Sequence, residues 1–520
     1  MLFNSLEFMF LFLPATFIGF FAFGGWRRDV AAAWLALASL VFYSWWSPIY
    51  VLLLLISIGC NYFFGMRIAH SAHRKRAWLI VAIALNLLAL CYFKYANFFI
   101  ENTGTLLGAD WKIAEVILPL GISFFTFTQI AFLADTYQGK AREYNLIHYM
   151  LFVSYFPHLI AGPVLHHKQM MPQFGMPETY RISSSNIAIG LTIFAIGLFK
   201  KVILADGIAV YATPVFSAAE HGKILTIIEA WGGALCYTFQ LYFDFSGYSD
   251  MAIGLSRLFN IKLPLNFNSP YKAANIVDFW RRWHMTLSNF LRDYLYIALG
   301  GNRYGVIRRY VNLEITMLLG GLWHGAGWTF VIWGGLHGIY LVINHLWRGM
   351  RRNVGADSGA SGFGRILGIA ITFAAVVVGW VFFRSANLST ANSIIQSMFG
   401  FHGVMLPSAL RGALGPDGQA NLAALGITFG DVGGLFKRPF ETFWIVGSMA
   451  FVWLLPNTQE IMGGYRPAWT DDEKTRAVPQ RNKTLLTWKP RACWAIATGI
   501  TLAWGILAIS RVSEFLYFQF

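Results

Sequence analysis

Residues 313–347 read LEITMLLGGLWHGAGWTFVIWGGLHGIYLVINHLW. The stretch is almost wholly apolar, yet it holds His324 and His337, each followed by glycine. A run of about 20 apolar residues is enough to cross a bilayer. One unbroken helix over the whole stretch, at ~1.5 Å per residue, would far exceed the roughly 30 Å hydrocarbon core. The segment therefore tilts steeply, dips in and returns, or breaks, and Gly320, Gly321, Gly325, Gly327, Gly334 and Gly335 are the places for a break. Basic residues flank both ends, Arg303, Arg308 and Arg309 before it and Arg348, Arg351 and Arg352 after it. That favours a dip and return, with a helical hairpin or a tilted span still open.

His324 lies ten residues beyond Glu314, about 15 Å along a helix and so near the middle of a bilayer. An ionisable group at that depth is costly and points to function. Imidazole is also the commonest general base. The plainer reading for His324 and His337 is a hydrogen bond between helices. The spacings Gly321 to Gly325 and Gly334 to Gly338 suit close helix packing and leave room for a substrate.

Composition places the rest of the chain around this stretch. Of 520 residues, 56% are hydrophobic and 12% charged, which describes a polytopic, all-α membrane protein. The net charge of +15 fits basic loops facing an anionic cytoplasmic leaflet and membrane lipids. Nucleic acid is not an expected partner, because the basic residues are scattered between apolar spans rather than gathered on one domain. The four cysteines, Cys60, Cys91, Cys236 and Cys493, have no metal-ligand spacing and read as packed thiols. No metal is expected. No basic region precedes the first apolar run, so that run is expected to stay as a span rather than to be cleaved.

In chain order, spans are expected at about Phe8 to Gly24, two within Ala31 to Ala69 with a turn at Ser47-Pro48, then Trp78 to Ile100 and Ile117 to Tyr137. Arg27, Arg28, the HSAHRKR loop at 70–76, Lys140 and Arg142 all fall on the inner side if the N-terminus is outside. Residues 155–174, YFPHLIAGPVLHHKQMMPQF, are broken by Pro157 and Pro163 and read as a re-entrant element. Within it, His166 and His167 read as interface residues, and His158 as a helix-end group with no assigned role. Apolar segments follow at about Ile187 to Phe216, with Lys200 and Lys201 at a cytoplasmic border, and at Leu225 to Leu258. In the second, Asp244 and Asp250 need partners, either in structural pairing or in a polar tunnel. Residues 354–364 form a linker; later spans are expected at about Ile366 to Phe383, Thr442 to Leu455 and Ala492 to Ile509. Residues 389–441 are expected to be periplasmic and the charged loop 461–491 inside. The sum is about 11 transmembrane helices in one domain, with N-terminal spans over 1–145, a core over 146–347 and C-terminal spans over 348–520.

Residues 261–303 form a distinct unit. The spacing of Ile276, Trp280, Leu287 and Leu291 predicts one amphipathic helix from Asn275 to Leu299, with Asp278, Arg282, Asn289 and Asp293 opposite. Asn275 is placed to cap it, with Asp278 in the first turn. Such a helix lies in the interface or plugs a cavity mouth. His284 sits at the edge of the apolar stripe. Arg281, Arg282 and Arg292 suit phosphate groups, with lipid headgroups as the alternative.

The blocks FWRRWHMTLSNFLRDYLYIALGGNR at 279–303 and GGLWHGAGWTFVIWGGLHG at 320–338, with FPHLIAGPV at 156–164 and YFDFSGYSDMAIG at 242–254, together resemble the membrane-bound O-acyltransferase family over nearly the whole chain. Among bacterial members the likeness is greatest to those that O-acetylate alginate, and next to those that D-alanylate teichoic acid. The resemblance implies a ring of helices around a thin centre with funnels from both faces. It implies His324 as the catalytic histidine and His284 as the second motif histidine. Arg281, Arg282, Asn289, Trp283 and Trp323 become candidate substrate- and donor-binding residues. It also implies acetyl-CoA as acetyl donor, no resident cofactor, an inner-membrane location with both termini periplasmic, and periplasmic acceptor proteins of the alginate acetylation machinery as partners. The rival classes are a transporter or flippase, which would be expected to show matching broken helices in two halves, and a non-catalytic scaffold.

Overall fold

The computed structural model describes residues 1–71, 73–109, 116–141, 145–160, 162–353, 362–412, 414–424, 426–430, 439–469, 486–509 and 516. Arg142, linker residues 354–361 and loop residues 470–485 lie outside the described residues.

The chain is a succession of helices. Helix α1, Leu13–Trp26, continues from a π turn at Phe8–Phe12; α2 is Arg28–Ser44 and α3 Pro48–His70, with Pro48 in the first turn after the expected Ser47-Pro48 bend. Helix α4, Lys75–Leu107, carries an internal π segment at Cys91–Tyr95. Helix α5 is Ile122–Tyr137. The proline-bearing stretch is broken as expected, into α6 Leu146–Ser154, α7 Phe156–Leu159 and α8 His167–Phe174. Helix α9, Ser184–Glu220, packs on α10, Ile227–Leu258. Short helices α11 Ile276–Trp280 and α12 Met285–Phe290 lead to α13 Gly305–His324 and α14 Trp328–Asn353. The chain continues with α15 Gly362–Arg384, α16 Leu388–Met398, α17 Pro439–Leu454 and α18 Ala492–Leu507.

Among the described residues, six helices are long and apolar enough to cross a membrane by length and composition, and Phe440–Leu454 and Ala492–Leu507 are shorter apolar helices. The figure of about eleven spans is not reached by this measure. Helix α10 shows one reason: it carries Glu229, Asp244, Asp250 and Arg257, all buried inside the protein rather than facing lipid. The segment 389–441, expected to be periplasmic, has regular structure of its own. The segment holds most of α16 and a parallel pair of strands, β1 Val404–Pro407 and β2 Ile427–Gly430.

Two helix pairs set the core. Helices α9 and α10 meet through glycines: a Cβ on Gly197 would stand 2.6 Å from the Gly247 carbonyl oxygen, and one on Gly190 2.6 Å from that of Gly254. This is small-residue packing, which lets backbones touch. At the π segment Lys200–Ala205 of α9, Lys200 and Lys201, expected at a cytoplasmic border, are buried inside the protein. Lys200 pairs with Asp250 at 2.6 Å, and Lys201 with Asp244 and Asp206, each at 2.7 Å. The aspartates of α10 therefore take the structural role, with lysine as partner. Removing one member of such a buried pair costs ~3–5 kcal/mol.

The stretch that opened the reading is a hairpin. Helix α13 ends at His324 and α14 begins at Trp328, so the break falls at Gly325–Gly327. The two helices cross where Gly321 faces Gly334: a Cβ on Gly321 would lie 3.1 Å from the Gly334 Cα, and one on Gly334 3.2 Å from the Gly321 Cα. These glycines serve the other arm of the hairpin and leave no room for substrate there. The expected Gly321–Gly325 and Gly334–Gly338 spacings thus work across the pair, Gly325 against Phe330 and Gly338 against Glu314.

The single helix expected over 275–299 is also corrected. Asn275 does cap it, its side chain accepting from the Asp278 N–H. The helix then stops at Trp280, and His284 adopts a left-handed conformation with φ +41°. The freed backbone groups are taken up by residues 266–268: Met285 N donates to Asn266 O, and Asn268 N to Arg282 O, both at 2.9 Å. The apolar stripe survives the bend, and Ile276, Trp280, Leu287 and Leu291 are all buried.

Gly334→Leu is expected to lower the thermal unfolding midpoint of the detergent-solubilised protein, by an overpacking cost of ~1–3 kcal/mol or more. Gly447→Leu, where a Cβ meets open space, is expected to leave the midpoint unchanged.

Candidate functional site

His324 is the last residue of α13, buried except for a small fraction of its surface. Its ring lies against Trp323 at 4.9 Å, and Trp333 and Phe383 at 5.1 Å between centroids. His284 is 6.3 Å away, its ring edge-on to Phe245 at 4.8 Å. The structure therefore brings together the two motif histidines that lie forty residues apart in the chain. His337 sits one helical layer off, against Trp333 at 4.9 Å and Trp280 at 5.3 Å. His284 and His337 are fully buried, and among the described residues neither ring nitrogen of either finds a hydrogen-bond partner. The interhelical hydrogen bond offered as the plainer reading of His337 is not made. Buried nitrogens without partners are costly and call for a reason.

Two cavities approach this cluster. The small one, about 110 Å³, is lined by His324, Trp323, Lys94, Ser123, Phe124 and Leu118, among others. The large one, about 2330 Å³, is lined by Arg281, Arg282, Asn289, Arg292, Thr316 and Met317, with further residues around them. The same helices wall both at different depths. Helix α5 gives Ser123 and Phe124 to the small cavity and Asp135 to the large one, about 18 Å apart along a helix. Helix α13 gives Thr316 and Met317 to the large cavity and Trp323 and His324 to the small one, about 10 Å further along. Phe127 stacks on Phe290 at 4.3 Å and on Trp323, a wall of the small cavity, at 5.4 Å.

The other expected site residues divide. Arg281 is exposed on the large cavity. Arg282 is already engaged, with Nε on Asp278 at 2.9 Å and Nη1 on Asn268 O at 3.3 Å. Arg292 is held by Asp293 through two hydrogen bonds of 2.7 and 2.9 Å, which keeps its guanidinium above the ordinary arginine range. Asn289 lies on the large cavity and is not among the small cavity's lining. Trp283 faces neither cavity; it packs on Trp380 at 4.9 Å and Phe267 at 5.0 Å in the aromatic core. His166 and His167, read as interface residues, instead line the large cavity, and both approach Asp135, at 4.0 and 3.2 Å. His158 is buried, lines neither cavity and stays without a role.

Sequence reasoning passed over Lys94 and Tyr95. Lys94 Nζ donates to the carbonyls of Trp323 at 2.5 Å and His324 at 3.1 Å, and Tyr95 OH to that of Leu322 at 2.8 Å. The signal was present: a lone lysine in the apolar run Trp78 to Ile100 is a charge at membrane depth.

A helical membrane scaffold that holds paired histidines, one of them on a small cavity whose walls continue to a large one, is suited to transfer between reactants arriving separately. The family model of the membrane-bound O-acyltransferases matches residues 72–378, more than half of the chain, and the chain belongs to that family. It is 46% identical over 435 residues to the peptidoglycan O-acetyltransferase of Helicobacter pylori, covering 78% of this chain and 81% of that protein. It is 42% identical over 453 residues to a protein of Pseudomonas aeruginosa named probable alginate O-acetylase, covering 85% and 84%. A teichoic acid D-alanyltransferase of Streptococcus thermophilus is 29% identical over 281 residues, 51% and 68% of the two chains. The protein is thus a membrane-bound acyltransferase, and its relatives modify polymers of the cell envelope. The transporter and scaffold readings give way to that membership.

Asparagine tolerates a left-handed backbone better than most residues. His284→Asn is therefore expected to keep the unfolding midpoint while lowering acyl transfer by about tenfold or more. Unchanged acyl transfer by this variant would assign His284 to the turn alone.

Proposed function

We propose that this chain transfers acetyl from a cytoplasmic donor, acetyl-CoA, to a hydroxyl reached from the other side of the bacterial inner membrane, with His324 as general base. The observation that carries the reading is the position of His324: it ends α13 on the small cavity, while the same helix walls the large one. Basic residues around the large cavity, Lys140, Lys168, Lys272, Arg281 and Arg292 among them, suit a cytoplasmic mouth and a phosphate-bearing donor. Trp46 and Leu118, on the small cavity, neighbour loops that the positive-inside rule puts outside. The helices then form a ring around a thin centre, with both termini periplasmic.

In the reaction, an imidazole nitrogen of His324 takes the proton of the acceptor hydroxyl as its oxygen attacks the thioester carbonyl carbon. The tetrahedral intermediate collapses with cleavage of the carbon–sulfur bond. The departing thiolate takes up the proton from the imidazolium, which leaves an acetyl ester, a free thiol and a neutral histidine. His284 steadies the oxyanion; its distance of 6.3 Å from His324 and ring nitrogens without a protein partner among the described residues support that role. Arg281, exposed on the large cavity, meets the donor's phosphates. The immediate acceptor is a hydroxyl of a periplasmic partner protein, which passes the acetyl group to mannuronate residues of alginate. Peptidoglycan is the second reading for the polymer, favoured by the 46% identity to the Helicobacter pylori relative. D-alanyl transfer is favoured less, at 29% identity over about half of this chain.

His324→Ala is expected to abolish polymer acetylation at unchanged membrane abundance, since general-base catalysis is worth ~10²–10⁴-fold. Ester-bound acetate measured on secreted polysaccharide and on peptidoglycan, in cells with and without the chain, identifies the acceptor. Normal acetylation in the variant would remove His324 from the mechanism.

A further inference from the structure

Lys94 lies outside the histidine motifs and outside the Trp-rich unit, and the reaction above does not use it. A lysine in a membrane-crossing helix ordinarily extends its charge toward water or headgroups. This one turns inward from the π segment Cys91–Tyr95 to the end of α13. The last carbonyls of any helix lack partners within it and carry partial negative charge. Here they are clasped by two successive side chains, Tyr95 on Leu322 and Lys94 on Trp323 and His324. The third ammonium hydrogen goes to Ser123 Oγ at 3.3 Å. Two turns further along α4, Asn102 Oδ1 accepts from Trp328 Nε1 at 2.7 Å, so the same helix also holds the start of α14. Both sides of the Gly325–Gly327 break are tied to one helix.

Lys94, Ser123, Trp323 and His324 all line the small cavity. An ammonium has three hydrogens, and all three of Lys94's are committed, so it does not bind substrate as a donor. What it supplies is a fixed place for the last residue of α13 and a positive charge on the cavity wall.

We propose that Lys94 is a positioning residue for acyl transfer: it anchors the backbone of His324 and sets a cation beside the place where the acceptor oxygen becomes negative. The proposal rests on the reading of His324 as the base. Tyr95, which holds the neighbouring carbonyl with a neutral hydroxyl, supplies the internal contrast.

The test uses the full chain in cells that lack their own copy, with base-labile ester acetate on envelope and secreted polymer measured per unit of membrane-inserted protein. Lys94→Met, similar in length and uncharged, is expected to lose acetylation by about tenfold or more. Lys94→Arg, which keeps charge and donors, is expected to retain about a third or more of it. Tyr95→Phe, which removes a neutral donor from the same helix end, is expected to lose less acetylation than Lys94→Met at equal abundance. Should Lys94→Met fail to accumulate, Lys94→Gln takes its place against the same limits. Near-parental acetylation without the charge, or an arginine variant no better than the methionine one at equal abundance, would overturn the proposal. His324→Ala runs in parallel: if it is inactive while Lys94→Met is active, only Lys94 loses its role, and if it is active the reading of the base falls first.

Discussion

A helix that ends buried inside a protein must find partners for its last carbonyls, because no water is there to take them. In this protein that helix is α13, and the residue at its end is His324. The end is made possible by Gly325 and Gly327 and is held by Lys94 and Tyr95 from a helix more than 200 residues away in the chain. The break and its clasp together put an imidazole on the wall of a cavity instead of within a continuous, lipid-facing span. Much else follows from keeping that end in place. Gly321 and Gly334 lock the hairpin, and the Trp333, Trp380 and Phe383 rings pack beside the imidazole.

The same accounting explains the bend at His284. A straight helix over 275–299 would carry its side chain past the cluster. Breaking it costs backbone hydrogen bonds, and residues 266–268 restore them. The left-handed backbone at His284 is a strained state for a residue with a side chain, of the order of 1–2 kcal/mol. Strain of that kind is often kept at functional positions, and here it sets His284 6.3 Å from His324.

Parts of this were legible in the chain because they are local. Asn275 as a cap, the Ser47-Pro48 turn, the proline-broken stretch at 155–174 and a glycine break after His324 each depend on a few adjacent residues. The demand of Asp244 and Asp250 for partners was legible too, though not that Lys200 and Lys201 would meet it. Other parts were not legible, for physical reasons. The apolar stripe of the Trp-rich unit has helical spacing whether or not the helix is continuous, so periodicity could not reveal the bend. Trp283 carries the same motif context as Trp323, yet one packs into the aromatic core and the other reaches a cavity. Helix α10 is long but too polar to score as a span, because its charges are paired within the protein. The clasp by Lys94 joins segments 229 residues apart, and no local pattern encodes it.

The central claim is that His324 stands between two cavities that open to opposite sides of the membrane. Single cysteines at Ser123, on the small cavity, and at Asn289, on the large one, test it most directly in a background with Cys60, Cys91 and Cys493, the exposed thiols, replaced. A membrane-impermeant thiol reagent applied to right-side-out and inverted vesicles is expected to label Ser123→Cys only from the periplasmic side and Asn289→Cys only from the cytoplasmic side. Labelling of both positions from one and the same side would contradict it.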